Sequence, residues 1–406
     1  MTAFHSVTPA MPLAMTATTI VSSLGRGTAA TLAALRDGRS GLAPCTFDDV
    51  PFPTYVGAIA GLDDEPIVGN LAGFDCRNNR AAAVALRQDG FADAVAAARA
   101  RYGTTRIGVF VGTSTSGLHQ AESAYRRCDP VTGRLPPDFD YDRTHNTYSL
   151  GRFVRASLGL TGPAFVVSAA CASTAKVFAS AARMIAAGIC DAAIVGGADT
   201  LCATTLFGFH ALGVVAETPC RPFDVARCGI SIGEGAGFIL LERASDRAGS
   251  DDVSLLGYGE SADAFHMSSP HPEGIGARLA MERALSAAGL APAAIDYVNL
   301  HGTATPAGDA AEDHAVFDLF NTVVPCSSTK GFTGHALGAS GVIEAIFAML
   351  AIQHAFVPGS PHTATVDPEV RCRYERDGVA GRIDRAISNS FGFGGANCSL
   401  VLGRNI

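Results

Sequence analysis

Short, unbroken apolar runs alternate along this chain with longer stretches in which apolar residues recur every three or four positions. The runs "RIGVFVG" (106–112), "AFVVSAA" (164–170), "DAAIVGGA" (191–198), "GFILLER" (237–243) and "DYVNLHG" (296–302) predict strands buried on both faces. "RAISNSFGFGGANCSLVLG" (385–403) predicts a hairpin about its glycines. Helical spacing covers 79–100, 172–187, 275–289, 308–320 and 338–354. Strands that alternate with helices predict an α/β fold.

The order repeats. A strand ending in a Gly/Thr loop, a long insertion, a strand, a small-residue helix and another strand fill 106–198, and a comparable series fills 296–403. This pattern predicts an internal duplication with halves 1–255 and 256–406. No low-complexity linker separates the halves, so they are expected to pack as one body. The polar and aromatic segment "DFDYDRTHNTYSLG" (138–151) reads as an excursion from the sheet.

Composition narrows the classes. At 406 residues the chain exceeds one ordinary core, and 48% hydrophobic against 17% charged residues describes a folded protein with a large interior. A net charge of −8 gives no reason to expect nucleic acid as a partner. The eleven cysteines are scattered, without a CxxC pair or a His/Cys cluster at zinc-ligand spacing. No metal is expected, and the thiols are expected to be reduced, in the cytoplasm. No lysine or arginine precedes Arg26, which argues against a signal peptide. Lys176, Arg183 or glycines interrupt the apolar regions, so no membrane span is expected. Of 30 basic residues only Lys176 and Lys330 are lysines; a lysine kept against that bias points to a site wanting a compact ammonium.

Both lysines fall in chemically rich stretches. In "VVSAACASTAKVF" (167–179), Cys171 heads a helix that is apolar around most of its circumference. A helix N-terminus favours an anion and lowers a thiol's pKa. Packing is the commoner role of a buried cysteine, so structural thiol and nucleophile stand level on this segment alone. In "NLHGTATPAGDAAEDH" (299–314), His301 ends a strand and Thr303 and Thr305 follow on a loosened turn. In "SSTKGFTGHALGASGVIEAI" (327–346), Lys330 and His335 share a Gly-rich loop, and Glu344 can reach back to pair with a charge. Read singly, these are a structural histidine and a loop with a surface ion pair.

Read together and in order, the motifs resemble the condensing enzymes of the thiolase superfamily, above all the Cys-His-His β-ketoacyl-acyl-carrier-protein synthases of fatty-acid, aryl-polyene and type II polyketide assembly. The resemblance runs from about residue 70 to the C-terminus, through "CRPFD" (220–224), "GEGAG" (233–237), "DAFHMSSP" (263–270), "HGTAT" (301–305), "KGFTGHALGASG" (330–341) and "NSFGFGGAN" (389–397). It implies a five-layered αβαβα fold made of two duplicated halves. It implies Cys171, His301 and His335 as the catalytic set, supported by Lys330, Glu344 and Phe393. The amides of Cys171 and Phe393 would form an oxyanion hole. Thr303, Thr305, Ser268 and Ser269 would line the passage of a phosphopantetheine arm, Thr115 an acyl pocket, and Arg77 and Arg80 a docking patch for an acyl carrier protein. It further implies no organic cofactor of the protein's own and a dimer, of identical chains or with a ketosynthase-like paralogue.

Some positions depart from that pattern. Cys228 stands where an aspartate is common, "VGTSTSG" (111–117) replaces a more glycine-rich loop, and Lys176 is unusual in the nucleophile helix, where it could pair with an anion near the dimer interface. "GISIG" (229–233) satisfies the GxSxG elbow of serine hydrolases, but a strand pattern follows it where the elbow needs a helix, so Ser231 reads as structural. Three rivals stand beside the synthase: a coenzyme-A-dependent thiolase, which would use a second cysteine near the C-terminus, a catalytically weak partner subunit of a ketosynthase heterodimer, and, weakest, a serine hydrolase acting through Ser231.

Overall fold

A computed structural model of the chain describes residues 11–48, 50–244 and 253–404. Residues 1–10, where the signal-peptide reading began, lie outside that range. The main sheet contains β1 (Leu13–Ser22), β2 (Ile107–Gly112), β3 (Ala164–Val167), β4 (Ala192–Asp199), β5 (Gly235–Arg243), β6 (Val253–Ala262), β7 (Tyr297–Asn299), β8 (Pro325–Ser327), β9 (Arg373–Tyr374), β10 (Arg385–Gly392) and β11 (Ala396–Arg404). The helices that pack on it are α1 (Arg77–Leu86), α2 (Phe91–Tyr102), α3 (Tyr148–Ser157), α4 (Ser173–Ala186), α5 (Ala203–Ala211), α6 (Ile275–Ala288), α7 (Pro306–Phe320) and α8 (Ser340–His354).

The strands lie in the order β9-β8-β7-β10-β11-β6-β1-β5-β4-β2-β3. On one side β3 and β4 flank β2 in parallel, and β5 and β1 follow antiparallel. On the other, β8 and β10 flank β7 in parallel, and β11 and β6 follow antiparallel. One five-strand order thus occurs twice, and the copies meet where β1 and β6 pair at Leu13↔Leu255 and Ala14↔Ser254.

Helices α4 and α8 pack on each other and on strands of both copies, forming a central layer. Helices α1 and α3 cover the far face of the first copy and α6 that of the second, which gives helix–sheet–helix–sheet–helix layering. The central helices approach closely because their contact points are small. A Cβ on Gly341 would lie 2.6 Å from the Ala175 nitrogen, and one on Gly112 would lie 2.7 Å from Ser173 backbone. The segment Leu337–His354 is long and apolar enough to cross a bilayer; it is 89% buried inside the protein, and that packing accounts for its composition.

Several expected elements are cut short, each for a local reason. The helix expected over 79–100 is two helices, because Asp89 (φ 56°) and Gly90 (φ 65°) break it in left-handed backbone. The strand expected over 164–170 stops at Val167, where the chain turns to present Cys171. The strand expected over 296–302 stops at Asn299, so His301 sits in the turn beyond it. The 138–151 excursion contains a helical turn at Tyr141–His145 and the start of α3.

Candidate active site

The turn before Cys171 passes through Ala170 at φ 47°, and Ser173 holds it. Ser173 Oγ accepts from the Ala169 amide at 2.9 Å and donates to the Ala170 carbonyl at 2.6 Å. Helix α4 begins two residues beyond the thiol, so its N-terminus backs Cys171, which is 6% exposed.

His301 is fixed from its backbone. Its amide and that of Gly302 donate to the two oxygens of Glu312, on α7, at 2.8 and 2.7 Å. Lys330 opens a single helical turn after β8, and its Nζ donates to Glu344 Oε1 at 2.5 Å and to the His301 carbonyl. The same Nζ lies 3.3 Å from His301 Nδ1. An ammonium can only donate, so Nδ1 accepts and the imidazole proton sits on Nε2, free to donate elsewhere. His335 is stitched to the decoy segment: its amide donates to the Ser231 carbonyl at 2.7 Å, and its carbonyl accepts from Gly233 at 2.9 Å. Its Nδ1 meets Ser340 Oγ at 2.9 Å, and its Nε2 lies 3.0 Å from Cys171 Sγ. The two imidazoles stand edge to face, 5.2 Å between centroids.

Burial dominates the electrostatics. It pushes the Cys171 thiol up to about 11, against the pull of the Lys330 charge and of the Phe393 and Cys171 amides. The lowering expected from the helix N-terminus is therefore outweighed in the free protein. Burial, then the Lys330 charge, holds both imidazoles well below the usual histidine value. The resting site is a neutral thiol against two neutral rings. The three ligand atoms of Cys171, His301 and His335 lie within 4.8 Å of one another, close enough for one ion, a convergence no sequence spacing revealed. The ammonium beside His301 opposes a cation there.

A cavity of about 300 Å³ reaches this trio, and Thr303, Thr305, Ser268, Ser269 and Phe393 line it. The hydroxyls of Thr303 and Thr305 are 3.0 Å apart. Phe393 is 37% exposed, precedes Gly394 at φ 81°, and meets the Phe209 ring edge-on at 5.6 Å. The structure thus brings the sequence-derived trio, its lysine and glutamate, and the four hydroxyl residues into one place.

One expectation needs correction, that for Arg77, and the remaining singled-out residues sit as follows. Arg77 is not a surface docking residue: α1 turns it inward, where Nε and Nη2 donate to Glu234 at 2.9 and 2.8 Å and Nη1 to Asp63 at 2.6 Å. Arg80 is engaged by both oxygens of Asp75, at 2.7 Å each. Thr115 does not line the cavity; its amide and hydroxyl donate to Asp199 at 2.9 and 2.8 Å. Lys176 pairs within the chain, with Glu260 at 3.0 Å. Cys228 is exposed, and Ser231 Oγ accepts from the Cys220 amide at 2.9 Å. Sequence reading missed Glu312 and Asp199, because acceptors of backbone N–H groups carry no spacing signal, and Ser340, whose only mark is its contact with His335.

Comparison with known proteins agrees with this geometry. Residues 74–247 match the N-terminal domain of beta-ketoacyl synthase, and residues 253–364 match its C-terminal domain. The mitochondrial 3-oxoacyl-[acyl-carrier-protein] synthase of Arabidopsis thaliana is 34% identical over 94% of this chain and 91% of its own length. The 3-oxoacyl-[acyl-carrier-protein] synthase 2 of Staphylococcus aureus is 34% identical over 84% and 89%. The structure of a ketosynthase in complex with its chain length factor from Xenorhabdus doucetiae superposes with a TM-score of 0.88 at 35% identity, covering 97% of this chain and 98% of that one. The ishigamide ketosynthase/chain length factor superposes with a TM-score of 0.88 at 28% identity, covering 98% and 100%. The protein belongs to the β-ketoacyl synthase family, acyl-transferring condensing enzymes of the thiolase superfamily.

Proposed function

We propose that this chain is the condensing subunit of a carrier-protein-dependent ketosynthase. The Cys171 sulfur attacks the carbonyl of an acyl thioester carried on phosphopantetheine, and the carrier thiol leaves with the proton that Cys171 gives up. His335 Nε2–H, 3.0 Å from the sulfur, is placed to donate to it and stabilise the thiolate, and the proton reaches the leaving thiol through solvent. A malonyl thioester then loses CO2, its electron pair moves onto the thioester oxygen, and the Nε2–H groups of His301 and His335 stabilise that charge. The resulting carbon nucleophile attacks the acyl-Cys171 thioester, the sulfur leaves as a thiolate that takes up a proton from solvent, and a 3-oxoacyl carrier thioester is released. No organic cofactor of the protein's own is needed.

The observation that carries this reading is the convergence of Cys171, His301 and His335 at the inner end of a hydroxyl-lined cavity. Burial and the neighbouring Lys330 charge keep His301 neutral, which fits the requirement for a neutral donor. A thiolase would need a second cysteine at the site. Cys398 is wholly buried in β11 and outside the cavity wall, which disfavours that rival. A subunit that only shapes a partner's product would have no use for an imidazole on a thiol. The repeated strand order supports two halves, divided just before β6 (Val253–Ala262) rather than inside it at 255/256, and the eleven unpaired cysteines support a reducing, cytoplasmic setting. The solved heterodimers with chain length factors support a paralogous partner.

The test is incubation with a panel of acyl-carrier proteins, with and without a paralogous subunit, followed by intact mass and peptide mapping. An acyl adduct on Cys171 that is absent in Cys171→Ala is the expected result. A folded protein that no donor acylates, alone or with the partner, would refute the catalytic reading.

A further inference from the structure

Asp199 ends β4 and is wholly buried, yet among the described residues no cation pairs with it. Donors alone hold it. Its Oδ1 accepts from Thr113 Oγ1 at 2.6 Å, the Thr115 amide at 2.9 Å and Thr115 Oγ1 at 2.8 Å. Its Oδ2 accepts from Ser114 Oγ at 2.5 Å and from the Gly338 amide at 2.6 Å, while the Ser114 amide bridges both oxygens. A buried carboxylate satisfied this fully fixes its donors in place.

Gly338 is the donor that matters for the chemistry, three residues beyond His335. Its carbonyl is gripped from the opposite side, because Thr174 Oγ1 donates to it at 2.6 Å and accepts from the Val342 amide at 3.0 Å. Thr174 lies on α4, three residues after Cys171. The clamp has no slack: a Cβ on Gly338 would lie 2.7 Å from Asp199 Oδ2. The turn needs holding, since Leu337 sits at φ 51°, a strained conformation for a branched side chain. Ser340, two residues further on, meets His335 Nδ1.

We infer that Asp199 is a positioning residue: it touches no reacting atom, and acts through the Gly338 peptide to hold His335 Nε2 against Cys171 Sγ. Its importance for turnover rests on the condensation proposed above; its effect on the thiol does not. Asp199→Asn breaks the link but also removes a charge that itself raises the Cys171 thiol, whereas Thr174→Val changes no charge. Most donors converge on Oδ1, so the surviving oxygen stays there and the new NH2 faces the Gly338 N–H, donor against donor. Thr174→Val removes the opposite jaw.

The experiment follows alkylation of Cys171 by iodoacetamide against pH, by peptide mapping, on native, Asp199→Asn and Thr174→Val proteins checked for folding by circular dichroism. Thr174→Val, which leaves every charge in place, should shift the midpoint of the profile by about half a pH unit or more. In the condensation assay kcat should fall by roughly 10²-fold, the scale of a 1 Å misplacement, with KM little changed. Profiles that superimpose on the native one in folded variants would overturn the inference. Should Asp199→Asn not fold, Thr174→Val decides alone. A shifted profile in a protein whose native form condenses nothing would keep the positioning role and sink the proposed reaction.

Discussion

Which nitrogen of His301 carries its proton decides what that residue can do, and Lys330 makes the choice. The ammonium 3.3 Å from Nδ1 forces that nitrogen to accept, which leaves Nε2–H as the donor. Burial comes first and the same charge second in keeping both imidazoles well below the usual histidine value. A group with a lowered pKa stays neutral as pH falls, so the native enzyme should keep its condensing rate well into acid. Lys330→Met removes both the tautomer lock and the charge. The condensation rate should drop by roughly 10²–10³-fold, the usual effect of losing one oxyanion donor. The acidic limb of the pH–rate profile should also move up, towards pH ~6.5. A variant whose profile lies on the native one would show that Lys330 sets neither.

Secondary-structure elements bring these residues together from distant parts of the chain, and the critical contact between elements is α4 on α8. Sequence periodicity located both helices because each is apolar nearly all round, a signal that survives without knowledge of the partner. Sequence did not show that they cross at Gly341, where an added methyl would meet the Ala175 nitrogen at 2.6 Å. Gly341→Ala should destabilise the protein by ~1–3 kcal/mol, the range for overpacking a filled core, read as a lower denaturant midpoint. An unchanged midpoint would mean that the helices can slide apart freely. The same limit explains the other differences. Cys171, His301, Lys330 and His335 were legible because chemistry-bearing side chains recur in recognisable local motifs. Arg77 was misread because its local pattern, two arginines on a polar helix start, is identical for a solvated face and for one that meets Glu234. Glu312 was invisible because it holds backbone amides, which every residue carries, and Asp199 because its amide and hydroxyl donors come from segments distant in sequence.

At the scale of the whole molecule the sheet is closed at neither end, and the β3 end has consequences. Strand β3 is the last in its order, and no described strand pairs with its outer edge. Phe165, in its middle, is 45% exposed although it stacks on Phe110 at 5.7 Å, and Tyr141 and Tyr148 of the neighbouring excursion are 55% and 36% exposed. An open edge with exposed aromatic side chains is an aggregation hazard unless a second subunit covers it. A partner of the same fold, as proposed above, would cover this edge. The expected particle in sedimentation is therefore two subunits, either two copies of this chain or one copy with a paralogue. Phe165→Glu places an unpaired charge at the centre of that edge and forfeits the burial of a phenyl ring, worth ~1.5–3 kcal/mol. Dissociation should become at least roughly tenfold easier, since ~1.4 kcal/mol is a factor of ten. If Phe165→Glu sediments as the native protein does at every concentration, the edge is not the interface, and the aromatic cluster needs another explanation.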